Sequence, residues 1–371
     1  MSGTEEKKLE EQFWTCLQCG MCTSACTTSQ VSDYNVRKLV RRIQIGEADD
    51  KEFLERTPWL CTQCGRCHEI CGHGLDIPKL VMELRKRANK AGFAPAAVKN
   101  VLESILKTGS PFKSGTRTKG SWVKEPMKAK DDAEVLYWAG CAPSIMAPNI
   151  AKATAEVLDK LAGGFRLLKE EPCCGEPLVV LGLMDEAKSN AEKVVKAIKD
   201  SGVKKVVTSC SGCFNALTNL YPNVLGVKPP EGVEILHFAQ FVAAAKPTLK
   251  LEKPMTVTYH DPCSLGRHSK VYEPPRDVLR SIEGLTLKEM SPTRDRSMCC
   301  GGGGGLWSID SNMAMEAANA KFERSILPSK VDVLVSACPT CFINFRFTFL
   351  KRKLPVTVMD LAEVVNQALP K

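Results

Sequence analysis

The stretch CLQCGMCTSAC, from Cys16 to Cys26, is matched in form by CTQCGRCHEIC, from Cys61 to Cys71. Both read Cys-x2-Cys-x2-Cys-x3-Cys. In such runs three cysteines wrap one iron-sulfur cubane and the fourth binds the neighbouring cluster. The predicted ligands of one cluster are therefore Cys16, Cys19, Cys22 and Cys71, and those of the other are Cys61, Cys64, Cys67 and Cys26.

Two features qualify this interpretation of the runs. The proline that usually follows the fourth cysteine is replaced by Thr27 and Gly72, which changes local rigidity without removing a ligand. Zinc is the alternative metal, since Cys-x2-Cys pairs also build tetrahedral zinc sites. Two complete four-cysteine runs favour iron-sulfur clusters.

The other ten of the eighteen cysteines form two sets of five, each built around Cys-Cys-Gly. The sets are Cys141, Cys173, Cys174, Cys210 and Cys213, and Cys263, Cys299, Cys300, Cys338 and Cys341. A cubane or a zinc ion needs four thiolates, so five predict an unusual cluster. We expect Gly175 and Gly301, which follow the paired cysteines, to allow backbone conformations closed to other residues and a close approach to the cluster.

The two sets belong to an internal repeat, with cysteine intervals of 32, 1, 36 and 3 residues in the first copy and 36, 1, 38 and 3 in the second. Four β-rich runs lead into cysteines: EVLYWAGC, KKVVTSC, MTVTYHDPC and VDVLVSAC. Amphipathic helices are predicted between them, at 149–161, 185–201 and 312–327. Alternating strands and helices predict α/β units with mainly parallel sheets, whose ligands lie beyond the carboxyl ends of the strands.

The predicted organisation is a helical two-cluster ferredoxin-like domain followed by two tandem α/β (Rossmann-like) domains. The ferredoxin-like domain covers residues 1–93, with helices at 34–46 and 77–91. Residues 94–132, rich in Lys, Gly, Ser and Pro, are predicted to be a basic surface connector. The two α/β domains then span 133–250 and 251–371. The apolar segment 178–184 resembles a short buried strand.

Composition excludes several classes of protein. The chain has 371 residues, of which 44% are hydrophobic, but no apolar run approaches the length of a membrane span. Its N-terminus lacks the apolar core of a signal peptide, so we expect cytoplasmic residence with reduced thiols. The net charge is +9, with a local excess in the connector at Lys113, Arg117, Lys119, Lys124, Lys128 and Lys130. Aromatic residues do not interleave with it, so we predict contact with an acidic protein or anionic membrane surface rather than nucleic acid.

Several motifs together resemble a known family: CCGEPL at 173–178, SCSGC at 209–213, HDPCSLGR at 260–267, and CCGGGGG at 299–305 with CPTC at 338–341. They look like the CCG domains of the heterodisulfide reductase family. The order of domains resembles its large iron-sulfur subunit, and is also similar to the iron-sulfur subunits of glycolate oxidase and anaerobic glycerol-3-phosphate dehydrogenase. With both sets complete, the resemblance implies two cubane 4Fe-4S clusters and two noncubane 4Fe-4S clusters facing a disulfide substrate.

The resemblance implies that electrons pass from the cubanes to the CCG clusters, where a disulfide is reduced or reversibly formed. Each thiolate product needs a proton, and His260, Arg267 and His268 lie near Cys263 in sequence. They are candidate catalytic residues. The alternative is that His260 is a core residue or a hydrogen-bond donor to a cluster sulfur and that Arg267 is a surface cation.

The glycines at 301–305 lack the surrounding residues of a phosphate loop or a dinucleotide fingerprint, so we interpret them as permissive backbone beside Cys299 and Cys300. Without such a fingerprint the chain must receive electrons from another subunit. The expected partners are a cytochrome b-type membrane subunit, a flavoprotein or a ferredoxin-like donor, with attachment to the inner face of the membrane only through a partner.

Two alternative functions stay open from the sequence. One is an electron relay, without a substrate site, for a flavin-dependent hydroxy-acid dehydrogenase or another reductase. The other is a non-enzymatic assembly protein whose cysteine-rich domains are structural. A relay should tolerate Cys141→Ser, whereas a disulfide reductase should not.

Overall fold

The computed structural model describes residues 9–112, 119–123 and 129–370, and its N-terminal part is helical. The two predicted helices are confirmed as Val36–Gln44 and Ile77–Lys90. Side-chain oxygens of Asn35 and Asp76 cap them by accepting the Lys38 and Lys79 backbone N–H groups, both at 3.0 Å. The remaining helices here are Met21–Ala25, Lys51–Arg56, Arg66–Glu69 and Ala96–Thr108, with 3-10 turns at Phe13–Thr15, Thr28–Gln30 and Thr57–Leu60.

The first part of the predicted connector is not a surface segment, which corrects that prediction. Residues Ala96–Thr108 form a helix that buries Val98, Val101 and Ile105. These residues lie at helical spacing, a pattern obscured by the polar composition of the residues that follow. Trp122 is also buried, at 3% exposure, against Tyr137.

Four of the connector's six basic residues, Lys113, Arg117, Lys124 and Lys128, lie outside the described residues. Lys130 is half-exposed, with its Nζ 2.6 Å from the Gly163 carbonyl oxygen. Lys119 is largely buried, and its contacts belong to the cysteine site.

The first α/β domain holds a parallel sheet in the order β1-β2-β3. Its strands are β1 (Val135–Tyr137), β2 (Lys205–Thr208) and β3 (Glu234–His237). The helices are Pro148–Ala162, Glu176–Val180, Met184–Asp200, Ser211–Asn215 and Phe238–Ala245, with π-helical turns at Ala142–Met146 and Ala216–Leu225. Residues 178–184, which looked strand-like, instead begin in the helix Glu176–Val180, because a short apolar run fits a buried helix as well as a strand.

The second domain repeats the plan with a parallel sheet in the order β5-β4-β6-β7. Its strands are β4 (Leu249–His260), β5 (Ile282–Leu287), β6 (Val333–Ser336) and β7 (Thr357–Asp360). The helices are Glu273–Ser281, Leu306–Ile309, Ser311–Lys321, Pro339–Arg352 and Leu361–Ala368, with a π-helical turn at Phe322–Ile326 and 3-10 turns at Arg294–Arg296 and Leu327–Ser329. The predicted α/β domains with parallel sheets are confirmed, while their Rossmann-like character stays a prediction.

The strand residues nearest the cysteine motifs are buried, as expected where both faces of a parallel sheet are covered. All residues of β1 and β6 are buried, and helices pack on the sheets as the parallel connections require. The last helix of the second domain packs on the first helix of the first domain, where Asn149 Nδ2 donates to Glu363 Oε1 at 2.9 Å. The two α/β domains therefore share a core.

One buried cation joins all three domains. Arg85 is fully buried and donates to the carbonyl oxygens of Pro58 (3.0 Å) and Cys61 (2.7 Å) in the ferredoxin-like domain. It also donates to Val180 (2.5 Å) in the first α/β domain and to Gly304 (2.8 Å) in the second. Arg85 thereby ties the start of the second ferredoxin-type run to both α/β domains.

Among the residues described, no helix has both the length and the apolar character needed to span a bilayer.

Candidate metal centres

The two ferredoxin-type loops have the same backbone geometry. Gln18 and Gln63 both have φ +57°, and Gly20 and Gly65 follow with φ of +83° and +77°. These left-handed residues turn each loop sharply before the short helices Met21–Ala25 and Arg66–Glu69. The predicted equivalence of the two runs is visible in this repeated geometry.

Cys26 lies with the cysteines of the other run. The pKa of the Cys67 thiol is raised well above its usual value, first by burial and then by the nearby thiols of Cys61, Cys64, Cys26 and Cys22. Cys22 also neighbours Cys16 and Cys19, and its pKa is raised by burial more than by those two. The crossed ligand assignment of the two runs stays a prediction. Cys71 is half-buried at the edge of the helical core.

The five cysteines of the first set form a continuous chain of neighbouring thiols. Cys141 hydrogen-bonds to Cys173, Cys174 lies between Cys173 and Cys213, and Cys213 also contacts Cys210. Hydrogen bonds from Cys173 and Cys213 lower the pKa of Cys174 to about 6. All five thiols are buried.

The second set repeats the same order of contacts. Cys299 hydrogen-bonds to Cys263 and Cys300, Cys300 to Cys341, and Cys341 to Cys338. The central thiol, Cys300, has a pKa lowered well below its usual value, mainly by hydrogen bonds from Cys299 and Cys341. The internal repeat of the sequence is thus a repeat of site geometry.

Sheet topology explains why residues so far apart in sequence meet. Cys141, Cys210, Cys263 and Cys338 each follow the carboxyl end of a strand, namely β1, β2, β4 and β6. Within each domain the two strands are parallel neighbours, so their ends lie at one edge of the sheet. The Cys-Cys-Gly segments add two cysteines to each set from a loop, and Cys213 and Cys341 add the fifth from the helices Ser211–Asn215 and Pro339–Arg352.

The two predicted glycines act through their backbone. The Gly175 and Gly301 N–H groups point at Cys173 Sγ (3.5 Å) and Cys299 Sγ (3.3 Å), and both residues have positive φ. A Cβ on Gly301 would lie 2.5 Å from the carbonyl oxygen of Ala314. The helix Ser311–Lys321, which contains Ala314, therefore leaves no room for a side chain at position 301. The glycine in closest approach to a thiol is Gly140, where a Cβ would lie 2.9 Å from Cys213 Sγ. Sequence analysis missed Gly140, although a glycine directly before a motif cysteine was an available signal.

The glycine run at 301–305 also faces the ferredoxin-like domain. A Cβ on Gly304 would lie 2.6 Å from the Cys61 carbonyl oxygen, and Cys299 Sγ is 3.3 Å from Thr62 Oγ1. Cys299 also hydrogen-bonds to Cys64, a predicted ligand of the cubane formed mainly by the second run. The second CCG set and that ferredoxin-type loop are therefore in direct contact.

The three candidate proton donors occupy different environments. His260 is 1% exposed, neighbours Cys300 and Cys341, and packs edge-to-face on Phe345 at 5.0 Å. Burial lowers the pKa of His260 to about 4, so its ring is neutral at pH 7. Neutral imidazole fits a hydrogen bond to a cluster sulfur, while a catalytic role for His260 stays a prediction.

Arg267 and His268 instead bind the ferredoxin-type loop. Arg267 Nε donates to the Cys64 carbonyl oxygen at 2.6 Å, and His268 Nε2 lies 2.9 Å from the Gln63 carbonyl oxygen. Arg267 is 4% exposed, so the prediction that it is a surface cation is wrong. Its five N–H donors fit carbonyl groups at a domain interface better than they fit solvent.

A lysine from the connector reaches the first set. Lys119 Nζ donates to the carbonyl oxygens of Glu171 (2.7 Å) and Pro172 (3.0 Å) and hydrogen-bonds to Cys141. The Glu171 carboxylate accepts the Ala139 and Gly140 N–H groups, both at 2.9 Å. Sequence analysis placed Lys119 in a solvated basic stretch and gave no sign of this contact.

A cavity of about 130 Å³ lies between the two α/β domains. Four cysteines of the second set line it, while the first domain contributes Glu176, from CCGEPL, but none of its cysteines. The second set's lining cysteines are Cys263, Cys300, Cys338 and Cys341. Burial raises the pKa of Glu176 to about 7, so this carboxyl group holds a proton below neutral pH. A larger cavity of about 850 Å³ shares Glu176 and Cys263 and extends to the ferredoxin-like domain.

The donor set fits iron-sulfur clusters. All eighteen cysteines lie among the described residues, and none of them is disulfide-bonded. They form compact groups of thiols with backbone N–H groups directed at sulfur, the environment that stabilises thiolate-bound clusters.

Comparison with known proteins agrees with this chemistry. The CCG cysteine-rich domain family matches residues 135–218 and 257–346, and the 4Fe-4S dicluster domain family matches residues 12–75. One component of the dihydromethanophenazine:CoB--CoM heterodisulfide reductase of Methanosarcina mazei is 32% identical over 386 residues, which cover 96% of this chain and 93% of that protein. The chain belongs to the heterodisulfide reductase family of iron-sulfur subunits. It is accordingly an iron-sulfur electron-transfer subunit of the oxidoreductase class.

Other similar proteins have different names. One component of the fumarate reductase (CoM/CoB) of Methanothermobacter marburgensis is 29% identical, covering 95% of this chain and 72% of that protein. Among solved structures, a hypothetical protein from Helicobacter pylori aligns with a TM-score of 0.63 at 11% identity, covering all of this chain and 73% of that one. That likeness concerns the fold alone.

Proposed function

We propose that the chain is the iron-sulfur subunit of a multi-subunit oxidoreductase that reduces, or reversibly forms, a disulfide. The observation that carries the proposal is the cavity between the α/β domains, which exposes thiols of a complete five-cysteine set to a small substrate. Conversion of a disulfide to two thiols consumes two electrons and two protons. The site must therefore supply both.

The electron-carrying groups of the proposal are two cubane 4Fe-4S clusters on the ferredoxin-type runs and two noncubane 4Fe-4S clusters on the CCG sets. When bound, these clusters supply one-electron transfer and iron atoms that accept thiolate sulfur. Each CCG set offers five thiols in the same order, all buried except the half-buried Cys263, and five exceeds what a cubane needs. The completeness of both sets favours a catalytic role over a purely conductive one.

This chain's own residues bind the substrate and provide a proton. Trp307 and Ile343 give the cavity an apolar wall, and Cys263 and Cys300 present sulfur to it. The Glu176 carboxyl group, protonated below neutral pH, faces the same space and donates to a thiolate product. The surrounding glycines keep the opening free of side chains.

The subunit needs partners for its electrons. The relatives named above are subunits of reductases, which supports a multi-subunit assembly for this chain. The partners we propose are a cytochrome b-type membrane subunit, a flavoprotein or a ferredoxin-like donor, with the chain on the cytoplasmic face.

A relay function is the second candidate. None of the first set's cysteines lines the cavity between the α/β domains, and Lys119 of the connector hydrogen-bonds to Cys141 of that set. A similar protein from Syntrophomonas wolfei, 28% identical over 79% of this chain and 44% of that protein, is named an EtfAB:quinone oxidoreductase. A first set whose five cysteines are all buried is compatible with electron transfer to a partner as well as with catalysis.

The substitution Cys141→Ser separates the two candidates. For a disulfide reductase we expect turnover to fall by about a hundredfold or more, since disturbing partners outside the metal ligands alone costs roughly 10–100-fold. Reduction of the ferredoxin-type clusters should be unchanged. Turnover is measured with chemically reduced chain and candidate disulfides under anaerobic conditions.

The control is Ala142→Ser, which adds a hydroxyl group one residue away and keeps every thiol. Unchanged electron transfer to an added acceptor in Cys141→Ser, together with no disulfide reduction by the unsubstituted chain, would favour the relay.

A further inference from the structure

Four large apolar side chains are exposed around the first ferredoxin-type loop. Trp14 is 64% exposed, Leu17 75%, Met21 49% and Ile45 47%. Cys19, a predicted cluster ligand, is exposed in the same loop. Exposed apolar residues grouped in this way are typical of a binding surface, whereas single ones are common anywhere.

The helix Val36–Gln44 holds this surface together. Gln44 Nε2 donates to the carbonyl oxygens of Phe13 and Cys16, both at 3.1 Å, which places the adjoining Ile45 next to the loop. A Cβ on Gly20 would lie 3.7 Å from Arg37 Cδ. The basic side of the helix therefore borders the apolar residues.

The border is positively charged. Within the described part of the chain, no carboxylate forms an ion pair with Arg37, Lys38 or Arg41, whereas Arg42 pairs with Glu47 at 3.1 Å. An apolar centre with an unpaired basic rim complements a partner face with an apolar centre and an acidic rim.

We propose that Trp14, Leu17, Met21 and Ile45, around Cys19, form the docking surface for an acidic redox protein. This inference rests on the proposed function, in which electrons enter at the ferredoxin-like domain. Docking here brings a partner's redox group next to an exposed cluster ligand, where the transfer distance is shortest. Each encounter oxidises the partner by one electron and reduces this chain by one, with no bond formed or broken.

A surface with only four exposed apolar side chains at its centre fits a transient complex, since electron-transfer encounters use small interfaces. The same apolar and basic residues would also bind an anionic membrane surface. Membrane binding does not require an exposed cluster ligand, whereas electron transfer from a partner does. The exposed Cys19 at the centre of the surface therefore favours a redox protein as the partner.

The test uses the full-length, cluster-loaded chain and reduced flavodoxin, an acidic flavoprotein, as the probe. Stopped-flow absorbance reports reduction of the chain, and calorimetry reports binding. For the double substitution Trp14→Ser with Leu17→Ser we expect reduction by flavodoxin to slow by about tenfold or more, as for loss of central anchors. Reduction by titanium(III) citrate, which needs no docking, should be unchanged. The matched control is Leu106→Ser with Leu350→Ser, at residues that are 65% and 69% exposed elsewhere.

A charge variant tests the rim without touching the loop. We expect Lys38→Glu to weaken flavodoxin binding and to reduce its dependence on salt, since the attraction is screened over roughly 10 Å at 0.1 M salt. Lys193→Glu, on an exposed helix position away from the loop, should bind as the unsubstituted chain does.

Equal flavodoxin rates in the loop variant and its control would overturn the proposal. So would a chain that titanium(III) citrate reduces and flavodoxin does not. Binding to anionic vesicles that disappears in the loop variant would assign the surface to a membrane instead, and a dimer that dissociates in that variant would assign it to a second copy. Disulfide reduction driven by titanium(III) citrate bypasses docking, so it tests the proposed function separately.

Discussion

Replacing Arg85 with methionine is expected to destabilise the folded chain by about 4 kcal/mol, because it leaves four buried carbonyl groups without their charged donor. Those carbonyls belong to Pro58, Cys61, Val180 and Gly304, so the loss affects all three domains together. Methionine keeps most of the side-chain volume, which separates the lost hydrogen bonds from a cavity. The measurement is anaerobic urea unfolding of the cluster-loaded chain, followed by tryptophan fluorescence.

Arg56→Met is the matched control, since Arg56 is also in the ferredoxin-like domain but is 65% exposed in a surface pair with Asp33. Its substitution should cost less than about 1 kcal/mol. Equal unfolding midpoints for the two variants would contradict the account of Arg85 as the residue that joins the domains.

Replacing Gly304 with alanine is expected to separate the second CCG set from the ferredoxin-type loop. The added Cβ would lie 2.6 Å from the Cys61 carbonyl oxygen and 2.6 Å from the Thr62 carbonyl carbon, so backbone must move. We expect a loss of about 3 kcal/mol or more from overpacking and left-handed strain. Magnetic coupling between neighbouring clusters, seen by electron paramagnetic resonance, should weaken in parallel.

Gly46→Ala controls for strain alone, because Gly46 has φ +76° and a Cβ there would meet nothing within 4 Å. Its cost should stay at about 1–2 kcal/mol, with the magnetic coupling intact. If both variants lose the same stability and neither changes the coupling, the contact at Gly304 does not position the clusters.

The strands and their cysteines were predictable because their signals are local. EVLYWAGC and VDVLVSAC each combine a run of apolar, strand-favouring residues with a following cysteine, and parallel strands must bring such cysteines to one edge. Helical spacing predicted Val36–Gln44 and Ile77–Lys90 to within two residues at either end.

The residues that join the domains could not be predicted from sequence. Arg85 and Arg87 both lie in the stretch RKR of one helix, yet Arg85 is fully buried while Arg87 pairs with Glu10 near the surface. Which of them faces another domain depends on contacts with Val180 and Gly304, far away along the chain. The composition of the connector likewise predicted that Lys119 is exposed to solvent. Its actual position depends on a hydrogen bond to Glu171, which lies some fifty residues further along the chain.

The most direct test of the central claim is anaerobic quantitation of iron and acid-labile sulfide, with electron paramagnetic resonance before and after oxidation in the presence of candidate thiols. Two cubanes and two thiol-binding CCG clusters predict about sixteen irons per chain and a new paramagnetic signal that appears only when a thiol binds. About eight to twelve irons per chain, with both ferredoxin-type clusters full and no thiol-dependent signal, would contradict the claim.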